Sequence, residues 1–172
     1  KGAFDYKDTI PDTDGLVTDL PRVPLMLFFA DCVPVMLIDT KSKAIALVHA
    51  GWRGAVGNIA AKGARLLHDK YGTEMKNIMA AIGPSIGPCC YEVDKNVWDK
   101  AEEFHACFVP GRVNHWLLDL WQVNRVQLER LGIPAKNILC ANCCTMDNTD
   151  EYFSYRAEKG KTGRLAAIIY RS

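Results

Sequence analysis

The chain has 172 residues, 49% of them apolar and 24% charged, which is enough for one domain with a sizeable core. Its 21 basic and 20 acidic side chains leave a formal net charge of +1, so no basic excess points to nucleic acid or an anionic membrane. The seven cysteines are an odd number and include two adjacent pairs; they do not read as a secreted disulfide framework and predict a cytoplasmic protein with reduced thiols.

Residues 1–22 are polar and turn-rich, with Pro11-Asp12, Asp14-Gly15 and Pro21 as breakers. Within them, 15–18 reads as a short strand. The continuous apolar run 25–30 predicts a buried strand that stops at Asp31, and 35–38 predicts a second after Pro34. Pro24, Asp31 and Pro34 interrupt this stretch, so it is not a membrane span. A polar turn at 39–43 leads into a third strand at 44–48. The resulting hairpin brings Cys32 and His49 near each other at its far end.

Gly51-Trp52-Arg53-Gly54 is a tight turn into a helix over about 56–70. A strand at 78–82 ends in Gly83-Pro84, and 85–90 is irregular. The pattern predicts a helix at 94–104, a loop at 110–116 and a helix at 117–131, closed by Gly132 and Pro134. Strands at 138–141 and 165–170 complete the chain. With no repeat, linker or low-complexity tract, residues 1–172 read as one mixed α/β domain.

Cys32 and His49 leave the ends of two buried strands, where α/β sheets commonly bind ligands. A thiolate and an imidazole suit zinc or copper, and equally a cysteine nucleophile with a histidine base. Their spacing alone also fits an inert buried thiol and a satisfied histidine. The planar fork of Arg53 suits phosphate, and so does a solvated surface arginine at the same place. Cys140-Ala141-Asn142-Cys143 is formally a C-x-x-C, but it comes late in the chain and has no second pair. Gly160-Lys161-Thr162 resembles the end of a phosphate-binding loop, yet Tyr155 stands where that motif needs glycine. The basic cluster Arg156, Lys159, Lys161 and Arg164 can contact an anion or lie on a solvated hairpin. The other histidines, His68, His105 and His115, sit in polar surroundings.

Together the motifs are A-D-C-x-P from Ala30, H-A-G-W-R-G from His49, and I-G-P-x-I-G-P-x-x-Y-E-V from Ile82. They continue with D-L-W-x-x-N from Asp119, Cys144-Thr145, and F-S-Y-R with K-T-G-R from Phe153 to Arg164. In this order they resemble the laccase-domain family, also called YfiH/YlmD-type, from about Asp14 to the end. The resemblance implies a single-domain, layered α-β-β-α sandwich with mixed sheets, similar to the catalytic domain of cytotoxic necrotizing factor toxins. It also implies zinc held by one cysteine and two histidines. Cys32 and His49 match two of these ligands. The third is a histidine in a Q-V-H-G segment ahead of D-G-L-V-T, which begins here at Asp14. No histidine precedes His49, so the sequence is expected to begin downstream of that ligand.

The implied activities are phosphorolysis of purine nucleosides (inosine, adenosine, guanosine and methylthioadenosine) and deamination of adenosine. Purine nucleoside and phosphate are then the expected partners, with Arg53 and Arg156 as phosphate contacts on charge and placement. Other members are described as copper-dependent polyphenol oxidases or peptidoglycan editing factors. Multicopper chemistry needs many histidines. This chain has four, three outside any matching motif, which ranks the oxidase behind the phosphorylase.

Overall fold

The computed structural model describes residues 10–172; the first nine, read above as part of a polar, turn-rich segment, lie outside the described residues. In chain order the elements are β1 (Gly15–Thr18), β2 (Leu25–Phe29), β3 (Val33–Asp39), β4 (Ile45–Ala50), α1 (Trp52–Val56), α2 (Ile59–Tyr71) and β5 (Ile78–Ile82). Then come β6 (Glu92–Asp94), α3 (Lys95–Lys100), β7 (Phe108–Pro110), β8 (His115–Leu118), α4 (Leu120–Arg130), β9 (Ile138–Cys140) and β10 (Leu165–Ile169). The central sheet has the order β1-β4-β3-β5-β9. Its pairs are antiparallel except β5 with β9, which is parallel. This is the mixed α/β architecture expected from the sequence.

The unbroken apolar runs of β3 and β4 follow from burial on both faces. Side chains alternate across a strand. Ala46, Val48 and Ala50 of β4, with Val33, Val35 and Leu37 of β3, join the main core, which also receives Ala60, Ala64 and Leu67 of α2 and Leu120, Val123 and Leu128 of α4. Ile45 and Leu47 point the other way. They meet Leu25 of β2 and Ile169 of β10, with Met36 packed alongside. β2 and β10 form an antiparallel ribbon across that second face. Helices, sheet and ribbon therefore stack as α, β and β layers.

Local chemistry explains where the elements differ from the sequence expectation. The helix expected at 56–70 is α2 and starts later, at Ile59, after Asn58 adopts a left-handed conformation with φ of 60°, while the tight turn expected at 51–54 continues into the short helix α1. β3 begins at Val33, before Pro34. Proline has no N–H to give, but its carbonyl accepts from Gly83 N at 2.9 Å, so it sits within the sheet. The helix expected from residue 117 starts at Leu120. His115–Leu118 is instead the middle strand of a three-stranded sheet, β6-β8-β7, at positions read partly as loop. The side chain of Asp119 then accepts from Gln122 N at 2.9 Å and caps α4. The helix expected at 94–104 ends at Lys100 and gives way to a 3-10 segment over Glu102–Cys107. No helix among the described residues is long and apolar enough to cross a membrane.

α2 approaches the sheet through Gly63. A Cβ there would lie 2.7 Å from Cγ2 of the buried Val48. Overpacking of this kind costs about 1–3 kcal/mol, while replacing a mid-helix glycine with alanine returns about 1 kcal/mol. Gly63→Ala is expected to lower stability by about 1 kcal/mol net. Urea unfolding checks this; a stabilised variant would mean that α2 does not pack against β4 as described.

Candidate active site

The chain passes from β2 to β3 through Ala30, Asp31 and Cys32. Asp31 has φ of 74°, a left-handed backbone that aspartate tolerates better than most residues. Its side chain is buried. Oδ1 accepts from the Thr145 hydroxyl at 2.7 Å and Oδ2 from Arg156 N at 2.6 Å. Its carbonyl accepts from Ile86 N at 2.9 Å. One residue thus ties the turn before Cys32 to three segments distant in sequence, and the direction in which Cys32 leaves the turn is fixed.

His49 lies opposite Pro34 in the β3–β4 register, one pair from the end of the hairpin. Its backbone N–H donates to Asp14 O at 2.7 Å. Its ring stacks on Phe29, with centroids 4.8 Å apart. Gly51 follows two residues later. A Cβ on Gly51 would lie 3.0 Å from Cys32 Sγ and 3.9 Å from His49 Nε2. The thiol and the imidazole therefore converge on one small space, open because Gly51 has no side chain. One soft and one borderline donor facing a common gap fit a zinc or copper ion.

That edge opens into a cavity of about 510 Å³, within the usual range for a small-molecule site. Trp52, Tyr91, Phe28 and Tyr155 line it, together with Arg53, Arg156 and Arg164. Both sequence-predicted arginines reach it. Arg53 stacks over Trp52 at 4.4 Å. Arg156 lies 5.0 Å over Tyr91 and donates to Glu92 O at 3.0 Å. Arg164 comes from the basic cluster that the sequence left open between anion contact and solvated hairpin.

The electrostatics bear on the role of Cys32. Burial, then the nearby Asp31 and Asp14, push its thiol up to about 11, with Arg164 pulling the other way. A protonated thiol is a poor nucleophile on its own, and it becomes a thiolate when a metal ion or a base takes its proton. Burial lowers the pKa of His49, opposed by Asp14, and favours the neutral imidazole that metals bind. The Tyr91 hydroxyl is pushed up to about 12, chiefly by burial, and stays protonated.

The remaining histidines are engaged elsewhere. His68 Nδ1 pairs with Thr73 O, His105 Nε2 with Trp98 O and His115 Nδ1 with Val113 O, all at 2.9–3.0 Å. Sequence reasoning did not single out Asp14 or Tyr91. Asp14 belongs to an exposed N-terminal segment and carries no local pattern. Tyr91 stands inside the I-G-P-x-I-G-P-x-x-Y-E-V motif, which was its available signal.

The family model described as multi-copper polyphenol oxidoreductase laccase matches residues 2–172. The chain belongs to this family. It is 38% identical to the purine nucleoside phosphorylase YlmD of Geobacillus stearothermophilus, over 99% of this chain and 64% of that protein. It is 35% identical to the enzyme of the same name from Bacillus subtilis, over 98% of this chain and 62% of that protein. The crystal structure of Geobacillus stearothermophilus YlmD superposes with a TM-score of 0.91 at 38% identity, covering 94% of this chain and 62% of that one. The Bacillus licheniformis protein YfiH gives 0.90 at 38% identity, covering 93% and 62%. The chain spans 62–64% of the length of these curated relatives.

Asp31 carries the most local weight around this cavity. Asp31→Ala leaves the Thr145 hydroxyl and the Arg156 N–H without their acceptor and puts alanine at a positive φ, a loss of about 3 kcal/mol. Asp31→Asn tolerates the backbone but turns an NH2 toward one of the two donors, a loss of about 2 kcal/mol. Thermal and urea unfolding of the pair tests the ranking. Equal stability of all three proteins would contradict the role assigned to this carboxylate.

Proposed function

We propose that the chain carries most of the active site of a zinc-dependent purine nucleoside phosphorylase. The observation that carries this reading is one cavity in which aromatic faces, three arginines and the Cys32–His49 edge meet. A flat purine suits aromatic walls. Phosphate suits arginine forks. The names of the two relatives described above support the same substrates.

Cys32 and His49 are the proposed zinc ligands, with the third a histidine upstream of Lys1, as the family resemblance implies. Bound zinc would supply Lewis-acid polarisation at the edge of the cavity. In phosphorolysis a phosphate oxygen bonds to C1′ of the ribose as the bond from C1′ to the purine nitrogen breaks, and the departing base takes up a proton. Arg53, Arg156 and Arg164 hold the phosphate and balance its charge. The aromatic walls orient the base and exclude water from the reacting carbon. Tyr91, which stays protonated, is a hydrogen-bond donor within the cavity. Inosine, adenosine, guanosine and methylthioadenosine are the proposed substrates. Deamination of adenosine is a second proposed reaction at the same site, in which water adds at C6 and the amino group leaves as ammonia to give inosine.

The copper-dependent oxidase ranks second. Cys32 and His49 also suit copper, and the family model bears the laccase description. His68, His105 and His115 have backbone partners of their own and do not line the cavity. A multicopper cluster would need more histidines than this cavity offers.

The test is inosine with phosphate and zinc, followed by mass spectrometry, on this chain and on a version extended upstream to include the third ligand. Hypoxanthine and ribose 1-phosphate are expected from the extended chain. Arg53→Ala should raise its KM for phosphate about ten- to a hundredfold, the loss of one charge-assisted contact. No product from folded, zinc-loaded extended protein would overturn the phosphorylase reading. Phenol oxidation by the copper form, or tight binding of a peptidoglycan precursor without nucleoside turnover, would replace it.

A further inference from the structure

A second group of side chains of metal-ligating type includes two close in sequence to Ile86 and Tyr91, which line the cavity. Cys89 and Cys90 come from the turn after Gly87, and Cys144 and Asp147 from the segment after β9. Their three sulfur atoms and a carboxylate oxygen all lie within 4.8 Å of one another. Cys89 Sγ donates to Asp147 Oδ2 and Cys90 Sγ to Oδ1, each at 3.0 Å. Cys144 is buried, and its sulfur accepts from Gly87 N at 3.2 Å. None of the seven cysteines is in a disulfide.

The two segments are bound together independently of these thiols. Ser85 N donates to Cys143 O and Thr145 N to Ser85 O, both at 3.1 Å. Within the second segment, Asn148 Nδ2 donates to Cys144 O at 2.8 Å. Backbone pairing thus brings the four side chains together without an ion, an arrangement that would reduce the ordering cost of binding one.

We propose that Cys89, Cys90, Cys144 and Asp147 form a second, closed metal site for a thiophilic divalent ion such as zinc. Three thiolates and one carboxylate complete a tetrahedron and leave no open position, the pattern of a structural site. Tetrahedral zinc needs ligand atoms about 3.5–4 Å apart, so the group must contract by roughly 1 Å at its widest, within reach of side-chain rotation. Binding exchanges thiol protons for metal–sulfur bonds and releases those protons to solvent, with no change of oxidation state. The ion would lock the turn leading to Tyr91 against the segment carrying Thr145. Tyr91 lines the cavity, and Thr145 holds Asp31. The site does not depend on which reaction the cavity performs.

The test uses the whole chain with Cys32→Ala/His49→Ala, purified under reductant and stripped with chelator. Zinc is added, excess is removed by desalting, and bound metal is counted by mass spectrometry. Cobalt is added in parallel. One ion per chain is expected, with sulfur-to-cobalt charge-transfer absorption in the near ultraviolet and a raised Tm. Adding Cys89→Ser/Asp147→Asn, two exposed positions, should abolish all three signals, while Cys140→Ser/Cys143→Ser should leave them. The same Cys89→Ser/Asp147→Asn pair in the otherwise unaltered chain should lower the cobalt–thiolate absorption, which keeps the test valid if the first background misfolds. No uptake, uptake that survives loss of Cys89 and Asp147, or a disulfide among these thiols in place of metal would overturn the proposal.

Discussion

The buried carboxylate of Asp31 is the constraint on which the rest of the site depends. It sits where the β2–β10 ribbon hands the chain to the central sheet. From there it accepts hydrogen bonds from Thr145 and from the Arg156 backbone, each more than 100 positions away in sequence. An acceptor buried this way is costly to leave unpaired, so both distant segments must return to it. That requirement positions the phosphate-binding candidate Arg156 over Tyr91. It also fixes the outlook of Cys32 in the next position. The positive φ of Asp31 is part of the same arrangement, because local strain is tolerated where the surroundings over-determine it.

Charge around Cys32 is arranged with two opposite tendencies. Burial, Asp31 and Asp14 disfavour the thiolate, while Arg164 favours it. Such a thiol is held protonated on its own, and a cation that takes the place of its proton relieves the unfavourable charge. The neutral tendency of His49 suits the same partner. These features suit the metal-ligand pair proposed here, one of the two readings that spacing in the sequence left open.

Much of the main sheet was legible because its strands are continuous apolar runs bounded by Pro, Gly and Asp. The runs at Val33 and Ile45 stay largely apolar because both faces of the sheet are covered, one by α2 and α4 and the other by the ribbon, whereas the run at Leu25 belongs to the ribbon and leaves Met26 and Phe28 exposed. The β6-β8-β7 sheet was not legible. Its strands have three or four residues, too few to establish a period, and His115–Leu118 runs directly into the apolar pattern of α4. The break between α1 and α2 depends on the φ of Asn58, which hydrophobic periodicity does not register. In the site, Cys32, His49, Arg53 and Arg156 could be named from local motifs. Asp14 and Arg164 could not be assigned, because tertiary approach alone brings them to the cavity. The Cys89, Cys90, Cys144 and Asp147 group escaped for the same reason: its members come from two segments more than 50 residues apart.

The claim that most needs direct observation is that one cavity receives both halves of the reaction, a flat purine and a phosphate. The measurement is a crystal structure of the zinc-loaded protein with phosphate and a purine nucleoside analogue whose glycosidic bond cannot be cleaved. The account predicts phosphate against Arg53, Arg156 and Arg164, and the base against the aromatic walls beside Cys32 and His49. Phosphate and nucleoside bound away from this cavity, or a cavity left empty at saturating ligand, would contradict it.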